Sequence, residues 1–168
     1  MSTPSCRLVI NWKTIRTHHC WLPVSSDGWH PHSNGGGWVQ DTAYVSRVAR
    51  VGPFAIVCDH ACVSGRVSID DFAVVSENAV VSGHAIICDH AVIRGASHVL
   101  KRARITGNAV VCEWAIVSGD SFVGGNARVA GHAYVAGLVV IEDFACVEGE
   151  SRLVNSERII DYMVEVGQ

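Results

Sequence analysis

Charge is scarce in this chain: Asp, Glu, Lys and Arg make up 17% of its 168 residues, against 49% hydrophobic. That balance excludes a disordered chain, which needs low hydrophobicity and high charge. The formal net charge is −3, so no global attraction to nucleic acid or an anionic membrane is expected. Long apolar runs are missing too. No stretch reaches the roughly 18 apolar residues of a membrane span, and Met1 to Ile10 lack the apolar stretch and small-residue cleavage site of a signal peptide. The expectation is a soluble, cytoplasmic protein of one domain with a sizeable core. An even cysteine set is also absent. The seven are Cys6, Cys20, Cys58, Cys62, Cys88, Cys112 and Cys146, unlike the paired count of a secreted disulfide framework.

What the chain has instead is a period of six. From Val39 through Val45 and Val51 to Val147, every sixth residue is Val or Ile, nineteen in succession, and Leu153 and Ile159 continue the phase. Four residues after each of these stands a small side chain: Ala in fourteen of the nineteen units, Ser at 97, 121 and 151, Val at 67 and 139. Two residues after, Gly, Asp or Glu dominate, as in Gly65, Asp71, Glu77 and Gly83. The Ala of one unit and the Val of the next are two apart, so they share one face of a strand. The Gly/Asp and its successor sit where the chain turns, because Gly, Asn and Asp tolerate positive φ. Each unit is therefore one short strand plus one turn, with Val and Ala inward. A helix does not fit: six is not a multiple of 3.6, and Gly in a helix interior costs about 1 kcal/mol per residue.

The unit V-x-G-x-A-x, as in Ile105-Thr-Gly-Asn-Ala-Val-Val and Val123-Gly-Gly-Asn-Ala-Arg-Val, resembles the hexapeptide-repeat (isoleucine-patch) superfamily of trimeric left-handed parallel β-helices. The family's commonest unit places Gly or an acid directly after the aliphatic residue. Here it comes one residue later, as in the regular V-x-G-N-A arrays of poorly characterised bacterial and phage proteins. The resemblance implies an all-β fold of about six triangular coils, three units and 18 residues to a coil, in a prism roughly 30 Å long, and a homotrimer. The chain then divides into an N-terminal cap (1–38), the β-helix (39–152) and a C-terminal cap (153–168), the last a short helix or a final strand. Residues 18 apart stack on adjacent coils. No two array cysteines are so spaced; Cys58 and Cys112 share a column but lie three coils, about 14 Å, apart, too far for a disulfide.

The N-terminal segment holds Trp12, Trp21, Trp29 and Trp38, suited to covering a solenoid end that would otherwise expose core and strand edges. The same segment offers His18, His19, Cys20, His30 and His32 as the alternative reading of a zinc site, although the spacing matches no standard finger. Ser33-Asn-Gly-Gly-Gly-Trp reads as a flexible lead-in to the first coil rather than a phosphate loop, since a strand and not a helix follows.

Two patterns on the outside of the coil point to function. Stepping by 18 through a turn position gives Arg66, His84 and Arg102 in one column, with Arg47 and Lys101 on one side and Arg50 and Arg104 on the other. Like charges stacked about 5 Å apart repel, and a phosphate or carboxylate would relieve them; Asp120 ends the column. The second pattern is two outward apolar stripes, Ile56, Val74, Val92 and Val110, and Tyr44, Val80, Ile116 and Tyr134, which would be buried between three parallel prisms. The expected function is a non-catalytic homotrimeric scaffold, without a cofactor, that binds an anionic small molecule such as a nucleotide, or a protein partner. The phage arrays extend this to a phage-encoded inhibitor of host defence. Enzymes resembling the family are mostly acyltransferases using acyl-coenzyme A, with a looped-out segment and a His as general base. His84 or His98 would take that role here, but the array has no insertion to supply the loop. A third reading is a purely structural trimer segment.

Overall fold

A computed structural model describes residues 11–160 and the backbone of 163–166. The chain is an all-β solenoid of parallel, stacked 18-residue coils. The strands fall into three sheets, one of nine strands and two of seven. The first sheet holds Trp38–Gln40, Ile56–Val57 and Val74–Val75; the second holds Tyr44–Val45, Cys62–Gly65 and Val80–Gly83; the third holds Arg50–Val51, Ser68–Ile69 and Ile86–Ile87. Partners such as Val92 and Val110, or Ile87 and Ile105, lie in parallel register. Each Val/Ile position from Val51 to Val147 is at most 1% exposed, and the Ala position is equally buried. Burying every second residue of a two- to four-residue strand leaves room for only one aliphatic and one small side chain per unit, which explains the large/small alternation.

The corners follow from backbone hydrogen bonding. Most are four-residue turns, closed for example by Ala61 N–H donating to the Cys58 carbonyl at 3.2 Å, while at Arg66, His84 and Leu138 the chain bends at the end of a four-residue strand. The residue two after the aliphatic position has positive φ at every unit from Asp59 to Asn155. Nearly half of these are not glycine, among them Asp59, Asp71, Glu77, Asp89, Lys101 and Glu113. The acids have a structural purpose. The amide at this position does not join the strand ladder, and an acid one coil earlier accepts its hydrogen: Glu77 N to Asp59 Oδ2 at 2.9 Å, Gly95 N to Glu77 Oε2 at 2.9 Å, Gly107 N to Asp89 Oδ2 at 2.9 Å and Gly131 N to Glu113 Oε2 at 2.9 Å. A corner amide left out of the ladder thus finds a charged acceptor on the neighbouring coil.

The solenoid runs past Arg152. Strands Arg152–Asn155 and Arg158–Ile160 keep the 18-residue register, and Met163–Val166 pairs with Cys146–Gly149 one residue short of it. Through these described residues the C-terminal segment takes the strand alternative and not the helix, giving about seven coils instead of six. Leu153 continues the buried row, and the half-buried Ile159 packs against it.

At the other end, helix α1 (Trp12–His18) is capped by Asn11, whose side chain accepts from Thr14 N. Strand β1 (Trp29–Pro31) pairs antiparallel with β2 (Trp38–Gln40), covering the outer edge of the first sheet. The Gly35–Gly37 run is not a flexible lead-in. Asn34 and Gly37 bond the Val51 backbone at 2.9 Å, and a Cβ on Gly35 or Gly37 would stand 2.1 Å from the carbonyl oxygen of Val51 or Gly52. The glycines are there because backbone packs directly on backbone.

Helix α1 does not plug the solenoid end; it lies on the outer face of the first sheet. Ile15 and Leu22 pack with Trp38, Ile56 and Cys58 in a small second core, and Trp12 meets Trp29 and Trp38 at ring distances of 5.2 and 4.8 Å. His18 packs against Phe54 and Phe72. His19 is buried, with Nε2 2.8 Å from the Phe54 carbonyl oxygen. Burial pushes the His19 pKa down, aided by His18 and His90 and opposed by the Phe54 carbonyl. A folded-state pKa below the unfolded value means that the neutral ring's contribution is present above about pH 6.5 and is lost as pH falls through the folded pKa. Acidification below that point should therefore loosen α1, seen as a shift in tryptophan emission, and His19→Gln should flatten the response.

Candidate functional site

The basic column occupies the corner between the second and third sheets. Register places Arg66, His84 and Arg102 one coil apart: Arg66 N donates to Gly83 O at 2.7 Å, and His84 N to Lys101 O at 2.6 Å. All three side chains are exposed, as are Arg47, Arg50, Lys101 and Arg104. Their electrostatics divide the set. Arg102 makes a two-point contact with Asp120, Nε–Oδ1 at 2.7 Å and Nη2–Oδ2 at 2.8 Å. Arg50 pairs with Asp70 at 3.0 Å, and Ser68 Oγ donates to the other Asp70 oxygen at 2.6 Å. Arg47, Arg66, Lys101 and Arg104 form no ion pair among the described residues. The structure therefore narrows seven candidates to four unneutralised cations with His84 among them.

The histidine and cysteine set at the N-terminus does not converge. His18 packs edge-on against Phe54 and tilted against Phe72, His19 binds a carbonyl, His30 Nδ1 meets Asp41 at 2.7 Å, and His32 is buried with Nδ1 beside the Asn34 carbonyl. Each ring has its own structural partner, and Cys20 is exposed elsewhere. Among the described residues the only His/Cys/Asp/Glu group of ligand-like closeness is Asp71, Cys88 and Asp89. Two of its carboxylates already serve corner amides, and burial and the two acids push the Cys88 thiol pKa up. None of the six described cysteines is in a disulfide, and Cys6 lies outside the described residues.

Of the apolar stripes, Ile56 is fully buried within its own chain by the α1 segment, so it is unavailable to another subunit. Val74, Val92, Val110, Val80 and Ile116 are half-buried, while Tyr44 and Tyr134 are 61% and 36% exposed. His98 sits in the second sheet between Val80 and Ile116, on a different surface from His84.

Sequence reasoning missed a cleft of about 460 Å³ at the corner between the first and second sheets. Glu77, Asn78, Arg94, Ala96 and Trp114 line it. Its signal was in the column Thr42, His60, Asn78, Ala96, Trp114, His132: one alanine among larger side chains. Two smaller clefts lie between the α1 segment and the first sheet, lined by residues such as Trp21, Val74 and Val92. No protein-family model matches the chain, and no curated protein is significantly similar to it.

Proposed function

We propose that this protein is a non-catalytic hexapeptide-repeat scaffold, acting as a homotrimer, whose corner between the second and third sheets binds an anionic small molecule. The observation that carries the reading is the group Arg47, Arg66, Lys101 and Arg104, four cations without a carboxylate partner among the described residues, on a chain of net charge −3. Arg47 and Arg66 stand on adjacent coils and Lys101 and Arg104 two coils beyond Arg66, so a rigid backbone holds like charges along one corner, and a multivalent anion bridging them lowers their energy. The half-buried stripe of Val80 and Ile116 with Tyr44 and Tyr134 is the surface on which neighbouring prisms would pack, and small-ligand sites favour such boundaries.

Native mass spectrometry of protein purified gently from its own cells tests both parts. The expected result is a trimer with an additional anionic mass, lost in the Arg66→Ala/Lys101→Ala variant. Because both side chains are exposed, the substitutions should leave stability within about 0.5 kcal/mol. A monomer without bound mass overturns the reading.

A further inference from the structure

The cleft between the first and second sheets is a gap in a stack. At this corner the third residue after each aliphatic position forms a column, with adjacent members one coil apart. Asn78 N donates to Gly95 O at 2.9 Å, Ala96 N to Glu113 O at 2.6 Å and Trp114 N to Gly131 O at 3.0 Å. Where such columns carry rings on adjacent coils, the rings meet: Phe54 and Phe72 at 5.2 Å, tilted by 37°, and near-parallel for Phe72 on His90 at 5.0 Å and 18° and Trp114 on His132 at 5.1 Å and 10°. Above Trp114 the stack stops, because Ala96 has no side chain beyond Cβ. It is the only alanine or glycine at this position over the nineteen units. Asn78, the next side chain, is two coils from Trp114, about 9.6 Å. The space admits one ring at the spacing the fold already uses.

The slot's surroundings narrow the class of ring. Its floor is the outer face of the Trp114 indole, a bicycle 58% exposed although its other face is covered by His132. Beside it Gly95, with φ +74°, contributes no side chain to the space. On the rim, Glu77 Oε2 holds the Gly95 amide, leaving Oε1 4.0 Å from Arg94 Nη1, beyond hydrogen-bond distance. Glu113 is different: its oxygens are occupied by Arg128 and the Gly131 amide. The rim thus offers one carboxylate oxygen and one guanidinium over an indole. We infer that this slot binds the purine base of a nucleotide, stacked on Trp114, with donors on the base edge facing Glu77 and the phosphate facing Arg94. Guanine, whose ring N–H and amine lie on one edge, presents more donors to a carboxylate than adenine does. The inference is independent of the basic corner, which lies at a different edge of the prism.

Calorimetric titration of the full chain with GMP, AMP and ribose 5-phosphate tests it. GMP should bind more tightly than AMP, and ribose 5-phosphate, which lacks the ring, should not bind at this site. Titrated in the Arg66→Ala/Lys101→Ala background, which removes the basic corner as a second anion site, Trp114→Leu should weaken GMP binding about 10- to 100-fold. Ala96→Phe should abolish binding and raise Tm, because its ring completes the stack that the nucleotide would otherwise complete. Failure of both nucleotides to bind, or equal binding by wild type, Ala96→Phe and Trp114→Leu, overturns the assignment.

Discussion

Gly107→Val should destabilise the solenoid by about 3–5 kcal/mol. Gly107 has φ +68°, and a Cβ there would be 2.6 Å from Gly125 O and 2.9 Å from Gly125 N. An L-residue in this conformation costs roughly 1–2 kcal/mol, a β-branched one more, and overpacking against backbone adds about 1–3 kcal/mol. The next coil cannot yield freely, because Asn108 N is tied to Gly125 O at 2.7 Å. The control is Gly107→Asn. Asp89 and Asp143 hold φ of 60° and 59° in the same column, so the corner accepts a short polar side chain, and the loss should stay below about 2 kcal/mol. Urea denaturation monitored by circular dichroism measures both. Equal losses for Val and Asn would mean that corner conformation is not what selects the residue.

The second large effect is expected at Ile105→Ala, a loss of about 2–5 kcal/mol. Ile105 is fully buried, paired with Ile87 above and Val123 below. Removing its side-chain atoms leaves a cavity in a core only one side chain wide, where the ladder bonds hold neighbouring coils at fixed spacing and oppose collapse. The same truncation at Val45, a half-buried residue in the first coil, should cost less, because it has a core neighbour on one side only and a smaller side chain to lose. A thermal-melt comparison of the two variants separates central from terminal coils; matching shifts in Tm would contradict a core organised coil by coil.

The contrast between ladder and diagonal explains which parts of the surface were legible. Arg102 and Asp120 are 18 apart and meet through the coil register, so their pairing followed from the column. Arg50 and Asp70 are 20 apart, as are Arg128 and Glu148. In each pair a long side chain on an outward strand position reaches diagonally to the residue after the aliphatic position on the next coil. Stepping by 18 passes over such contacts, and that is why Arg50 was grouped with the free cations. The glycine run at 35–37 misled for a related reason: composition shows conformational freedom, whereas close approach to Val51 is visible only with both segments in place.

The strand phase, the inward faces and the position of the left-handed corner residues were determined by the sequence alone. A period of two within each strand and six between corners leaves a single register in which every Val and Ala is buried. The tertiary structure alone decided what lies against the outside of the coils. Helix α1 chose the first sheet because Ile15, Leu22 and three tryptophans bury each other there with Ile56, a match of shapes between non-repeating residues that no periodicity encodes. The slot above Trp114 belongs to the same class. It is made by the side chain that Ala96 lacks, and an absence becomes a site only when the coils above and below are set at their spacing.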